Sequence, residues 1–115
     1  MKRFELKSYT VGRGDNAEEL PAAELMGLCV NHTDPTKGGL TLREMRKRNR
    51  VLDHLEGVDD DATHVDMEDA DAATLQECVE AMQWAMVSTG IIAFGDDVKN
   101  AKSPPKKARP ADEAA

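Results

Sequence analysis

Apolar and polar residues alternate from Arg3 to Val11, with Phe4 and Leu6 on one side and Glu5 and Lys7 on the other, which predicts a half-buried strand. A second alternation, Val65 and Met67 against His64, Asp66 and Glu68, predicts a short strand that pairs with residues 3–9. Two strands alone are marginal in water and require a helix on one face.

The periodicity then lengthens. In Leu40 to Gly57, LTLREMRKRNRVLDHLEG, the residues Leu42, Met45, Leu52 and Leu55 recur at three-to-four spacing, with Asn49 interrupting and Val51 flanking. This predicts a helix over about Leu42 to Glu56 with those residues as its buried stripe. Thr41 followed by Glu44 fits a capping box, and Gly57 stands where a closing residue takes positive φ.

A second helix is expected from Ala70 to Met86, entered through Asp69 or Asp71 as N-cap. Its stripe is Leu75, Val79, Met82 and Met86, with Cys78 and Ala85 beside it. Trp84 then lies about 180° from Leu75 on a wheel of 3.6 residues per turn, so either both sides are covered or Trp84 sits in an exposed patch. Ser88 or Thr89 caps a further helix over about Gly90 to Asn100, with Ile91, Phe94 and Val98 inward and Gly95 either weakening it or admitting a close backbone.

Earlier in the chain, Asn16 with Glu19 offers another capping box, and PAAELMGLCVN reads as a short helix through Leu25, Leu28 and Cys29 or as a strand over Leu25 to Val30. HTDPTKGG is a connector. The run KSPPKKARPADEAA is rich in proline and poor in bulky apolar residues, which predicts a disordered tail over 102–115 after a single domain over 1–101. The expected fold class is α+β, mainly helical, with about three to four helices packed on a small two-stranded antiparallel sheet.

Charge changes what these helices are for. The net charge of −7 is unevenly spread: residues 1–50 hold ten Lys/Arg and seven Asp/Glu, whereas residues 51–98 hold thirteen Asp/Glu and no Lys or Arg. On the central helix Arg43, Arg46, Lys47 and Arg50 form a cationic ridge, which reads as a solvated face or as a docking surface for an acidic partner. A basic ridge and an acidic half in one chain invite head-to-tail pairing of subunits, or pairing within the chain. The acidic half repels nucleic acid, and no recognition-helix pattern accompanies the ridge, so nucleic acid is not the expected partner.

No catalytic arrangement is visible. No serine lies in a nucleophile elbow, no cysteine is paired with a base, and no glycine-rich phosphate loop occurs. Cys29 and Cys78 lie among apolar residues and read as buried free thiols. His32 with Asp34 is the nearest approach to a metal pair and lacks further ligands, while Asp59, Asp60 and Asp61 lack the spacing of a calcium loop. The expectation is no enzyme, no cofactor and no metal. No apolar stretch reaches membrane-spanning length and the start is not a signal peptide, so a cytosolic protein is expected.

From GGLTLREMRKRNRVLDHLE through DMEDADAATLQECVEAMQWAMVSTGIIAFGDDV, about residues 38–100, the chain resembles small bacteriophage proteins of the virion morphogenesis gene region. The features that carry this are the EMRKR core and VLDHLE ending of one helix, the EDAD opening and WAM ending of the next, and the closing DDV. The resemblance implies a structural or assembly subunit at the tail or head–tail junction, acting through contacts with other virion proteins and with itself, in the host cytoplasm during assembly or in the virion. The residues expected to carry contacts are Arg43, Arg46, Lys47, Arg50 and the off-stripe Trp84. The alternative is an acidic phage-encoded regulator or inhibitor that binds a host protein's basic cleft.

Overall fold

The computed structural model describes residues 1–33, 38–84 and 87–104. The fold is α+β and mainly helical, with four helices packed on two small antiparallel sheets among the described residues. Strand β1 (Lys2–Glu5) pairs with β4 (His64–Met67), Phe4 opposite Val65, as the alternation predicts. β2 (Ser8–Val11) pairs instead with β3 (Glu18–Pro21) in a second sheet.

The single strand expected over Arg3 to Val11 is therefore two. Leu6 N–H still donates to the Thr63 carbonyl at 2.9 Å, but the Lys7 carbonyl accepts from Ala22 N–H at 2.8 Å, so the chain changes partner between them. The turn that follows needs Gly12, at φ 102°, where a Cβ would come within 2.9 Å of the Asn16 carbonyl oxygen. No helix starts at Asn16, which closes a 3-10 turn over Gly14–Asn16. Pro21 ends β3 and is the N-cap of α1 (Ala22–Asn31), which buries Ala22, Leu25, Met26, Cys29 and Val30 and leaves Leu28 exposed.

α2 spans Leu42–Glu56, the expected range. Half of the capping box is present: Thr41 Oγ1 accepts from Glu44 N–H at 3.1 Å, while the Glu44 carboxylate turns to Lys47 and Arg48 at 3.4 Å each. Gly57 has φ −84° rather than a positive value, and its N–H continues the helical pattern by donating to Asp53 at 3.0 Å.

The buried face of α2 differs from the predicted stripe. Val51 and Leu55 are buried, Leu52 is half-buried, and Leu42 and Met45 are 67 % and 50 % exposed. The inward line is Glu44, Arg48, Val51 and Leu55, rotated by roughly a quarter turn on an ideal wheel. Arg48 causes the rotation. Its Nη1 donates to the carbonyls of Val30 at 3.1 Å and His32 at 2.6 Å, at the end of α1, where the last carbonyls lack helical partners and the helix dipole favours a cation.

α3 (Asp69–Ala81) begins after Glu68, with Asp69 and Asp71 in its first turn rather than at the cap. It stops five residues short of the expected Met86. Met82 has extended dihedrals, and both Met82 and Trp84 pack against the core. Continued helix would carry Trp84 to the side opposite Leu75, and unwinding after Ala81 returns it. Ala85 and Met86 lie outside the described residues.

α4 (Thr89–Lys99) is capped by Ser88, whose Oγ accepts from Ile91 N–H at 3.4 Å and from Gly12 N–H at 3.3 Å. Ile91, Phe94 and Val98 are buried as predicted. The close backbone approach falls at Gly90, not at Gly95: a Cβ on Gly90 would sit 1.8 Å from the Thr10 carbonyl oxygen, whereas Gly95 has open space. Lys102 pairs with Arg3 in an isolated bridge, so ordered backbone runs past Ala101; residues 105–115, most of the expected tail, lie outside the described residues.

Candidate interaction surfaces

The ridge residues on α2 divide by what they touch. Lys47 pairs with Glu44 on its own helix, and Arg50 Nε donates to Asp71 Oδ1 at 3.1 Å. Asp71 is nearly buried and also meets His54 Nε2 at 3.0 Å, so Arg50 and His54 together hold α2 to the first turn of α3. Part of the basic ridge is thus neutralised within the chain. Arg43 and Arg46 have no ion pair among the described residues.

Arg46 and Arg43 lie along one side of the outward face of α2. Leu42, Met45, Arg46 and Asn49 stand at positions i, i+3, i+4 and i+7 and are all exposed. Two large apolar side chains therefore face solvent beside two uncompensated cations. The sequence pattern placed Leu42 and Met45 inside; the signal it offered for the true orientation was Val51, which shares a line with Arg48 and Leu55.

Trp84, predicted off-stripe, lies half-buried at one end of a cleft of about 350 Å³ between α3 and α4. Val79, Met82, Ile91, Ile92 and Gly95 supply its apolar lining, with Glu80 and Asp96 at its edge. Ile92 is 57 % exposed there. Lys99 stands at the far end, where Gln76 Nε2 donates to the Val98 carbonyl at 3.0 Å. The structure does not bring Trp84 together with the α2 ridge. Ile92 and Gly95 were not singled out as surface from the sequence, because a helix with Ile91 and Phe94 inward gives no sign that Ile92 stays exposed beside α3.

Three further ionic contacts lie elsewhere on the fold. Tyr9 O–H donates to Asp97 Oδ2 at 2.6 Å, Lys7 Nζ pairs with the same oxygen at 3.1 Å, and the Tyr9 ring meets Phe94 edge-on at 5.5 Å. The tyrosine hydrogen bond and then Lys7 hold the Asp97 carboxyl below the usual range, while burial and Asp97 push the Tyr9 hydroxyl far up. Arg3 grips Asp66 through Nε at 2.8 Å and Nη2 at 3.0 Å, lowering that carboxyl. The Met1 ammonium pairs with Asp69 and lowers it as well.

Cys29 and Cys78 are buried and free as the sequence implies, and they border a second cavity of about 290 Å³ with His32 and Arg48. Burial first, then the neighbouring Cys78, pushes the Cys29 thiol up to about 12, and burial raises Cys78 too. Both are therefore protonated at neutral pH, the opposite of an activated nucleophile. Among the described residues no three His, Cys, Asp or Glu side chains converge on a metal position, and no helix is long and apolar enough to cross a membrane. The expected pair of His32 with Asp34 falls partly outside the described residues. Comparison of the chain with protein-family models, with curated proteins and with solved structures finds no match.

Proposed function

We propose that this protein is a non-catalytic interaction subunit, an assembly component of a phage particle, that docks acidic neighbouring proteins through the outward face of α2. The observation that carries the reading is the exposure of Leu42 and Met45 beside Arg43 and Arg46, which have no intrachain ion pair among the described residues. Exposed large side chains bordered by uncompensated charge supply both ingredients of a specific contact: apolar area whose burial favours association, and charge that selects an acidic partner and steers its approach. The resemblance of residues 38–100 to small morphogenesis proteins supports the phage setting, with action in the host cytoplasm or in the particle.

The test is binding of the full chain to the other proteins of the same particle, compared with a variant carrying Arg43→Gln and Arg46→Gln. Both residues are exposed, so the variant should keep the wild-type melting temperature and lose partner binding. Binding should also weaken as salt rises. A chain that stays a strict monomer and binds no particle protein sinks the proposal.

A further inference from the structure

We infer that the apolar cleft between α3 and α4 receives the outward face of α2 from a second copy of this chain, giving a head-to-tail contact. This rests on the reading of α2 as a docking surface and names what it docks.

The two surfaces match in kind. The α2 face offers Leu42 and Met45 at i and i+3, two apolar anchors at the spacing with which an amphipathic helix enters a groove, with Arg46 and Arg43 along one side of them. The cleft offers Val79, Met82, Trp84 and Ile92 as an apolar floor and wall, with Glu80 and Asp96 at its rim. Neither Glu80 nor Asp96 has an ion pair among the described residues, so each is available to a cation from outside. Apart from Lys99, the cleft is lined from residues 51–98, the half of the chain that contains no Lys or Arg. Lys99 sits at the Gln76 end, so the arginines meet the rim at the Trp84 end.

One copy cannot satisfy its own cleft. α3 lies between the two surfaces, packing against α2 on one side and α4 on the other. A contact joining two different patches is heterologous, so it leaves an unused patch at each end and continues to a third copy unless the rotation closes a ring. Such self-addition suits a subunit of a repeating particle, and the pairing of opposite charges fixes which face meets which.

Sedimentation velocity of the full chain over a range of concentrations tests this. The wild type should form species beyond the dimer as concentration rises, retreating towards monomer in high salt. Met45→Glu, on exposed α2 surface, should put a carboxylate against Glu80 and Asp96; Ile92→Lys, on the exposed cleft wall, should put a cation against Arg43 and Arg46. Both new residues are good helix formers, and circular dichroism and the melting temperature should match the wild type. Each variant alone should sediment as a monomer.

A mixture of the two variants should form dimers that grow no further, because the first retains a sound cleft and the second a sound α2 face. Oligomers that survive either substitution, or a mixture that stays monomeric, overturn the inference. A wild-type chain that is monomeric yet binds another particle protein through Arg43 and Arg46 overturns it while leaving the proposed function standing.

Discussion

α2 and α4 are both amphipathic helices with a hydroxyl N-cap, yet only one of them buries the face its apolar pattern marks. In α4, Ile91, Phe94 and Val98 are buried and the remaining large apolar residue, Ile92, is exposed. In α2 the pattern offers four large apolar residues, and two of them face solvent. The difference is one arginine. Apolar periodicity identifies the inner face when nothing polar is needed inside, whereas α1 ends against α2 and requires a donor for its last carbonyls, which Arg48 supplies. Satisfying those carbonyls turns α2 and leaves Leu42 and Met45 outside.

The largest expected effect sharpens that contrast. Phe94→Ala removes a fully buried ring that packs edge-on against Tyr9, and should cost about 3–5 kcal/mol in urea unfolding. Leu42→Ala, on the helix where the pattern misleads, should change stability by no more than about 0.5 kcal/mol. If Leu42→Ala costs as much as a core truncation, the orientation of α2 described here is wrong.

Next in size is Arg48 itself. Arg48→Ala leaves the Val30 and His32 carbonyls without that donor and strips the cation from the end of α1, so a loss of about 2–3 kcal/mol is expected, in the range for hydrogen bonds to charged groups. Arg46→Ala, one half-turn away and exposed, should be nearly neutral. Equal effects at the two positions would remove the explanation for the rotated face.

The pairing of β1 with β4, the limits of α2 and the inner face of α4 were legible because each is a local rule: alternation, a capping hydroxyl, a periodic stripe. The second sheet was not, since nothing within Arg3 to Val11 announces that Lys7 hands its carbonyl to Ala22. The end of α3 was not legible either, because no glycine or proline marks it; the helix stops where continuing would carry Trp84 away from the core. The close backbone approach was offered at Gly95 and falls instead at Gly90, whose role is fixed by Thr10, eighty residues earlier in the chain. Of the candidate contact residues, Arg43 and Arg46 keep their cationic freedom among the described residues, while Arg50 proves to be bound to Asp71, a partner that charge counting alone could not choose.

A smaller effect compares the polar attachments of the two helices. Tyr9→Phe deletes the hydroxyl that donates to Asp97 on α4 but keeps the ring against Phe94, so about 1–2 kcal/mol should be lost, near the lower end for a bond to a carboxylate because Asp97 is partly exposed. The Asp97 carboxyl should then titrate closer to its ordinary range, which side-chain carbon shifts across an acid titration measure directly. An unchanged Asp97 titration would mean that Lys7 alone sets it.

The smallest effect is the dependence on acid, and its sign follows from the direction of three shifts. Asp66, Asp69 and Asp97 are all held below the ordinary carboxylate value, by Arg3, the Met1 ammonium and Tyr9 respectively. Unfolded chain therefore takes up protons at a higher pH than folded chain does. The stability these pairs contribute is complete above the unfolded value of about 4 and drains away as pH falls through the lower folded values. None of the three joins α2, whose attachment runs through Arg48 to neutral carbonyls and through Arg50 to Asp71. Acid below about pH 4 should accordingly loosen the β1–β4 and Tyr9–α4 attachments before the Arg48 contact, seen as faster amide exchange at Phe4 and Phe94 than at Val51. Exchange that quickens at Val51 as early as at the other two would show that the shifted carboxylates do not set the acid limit of the fold.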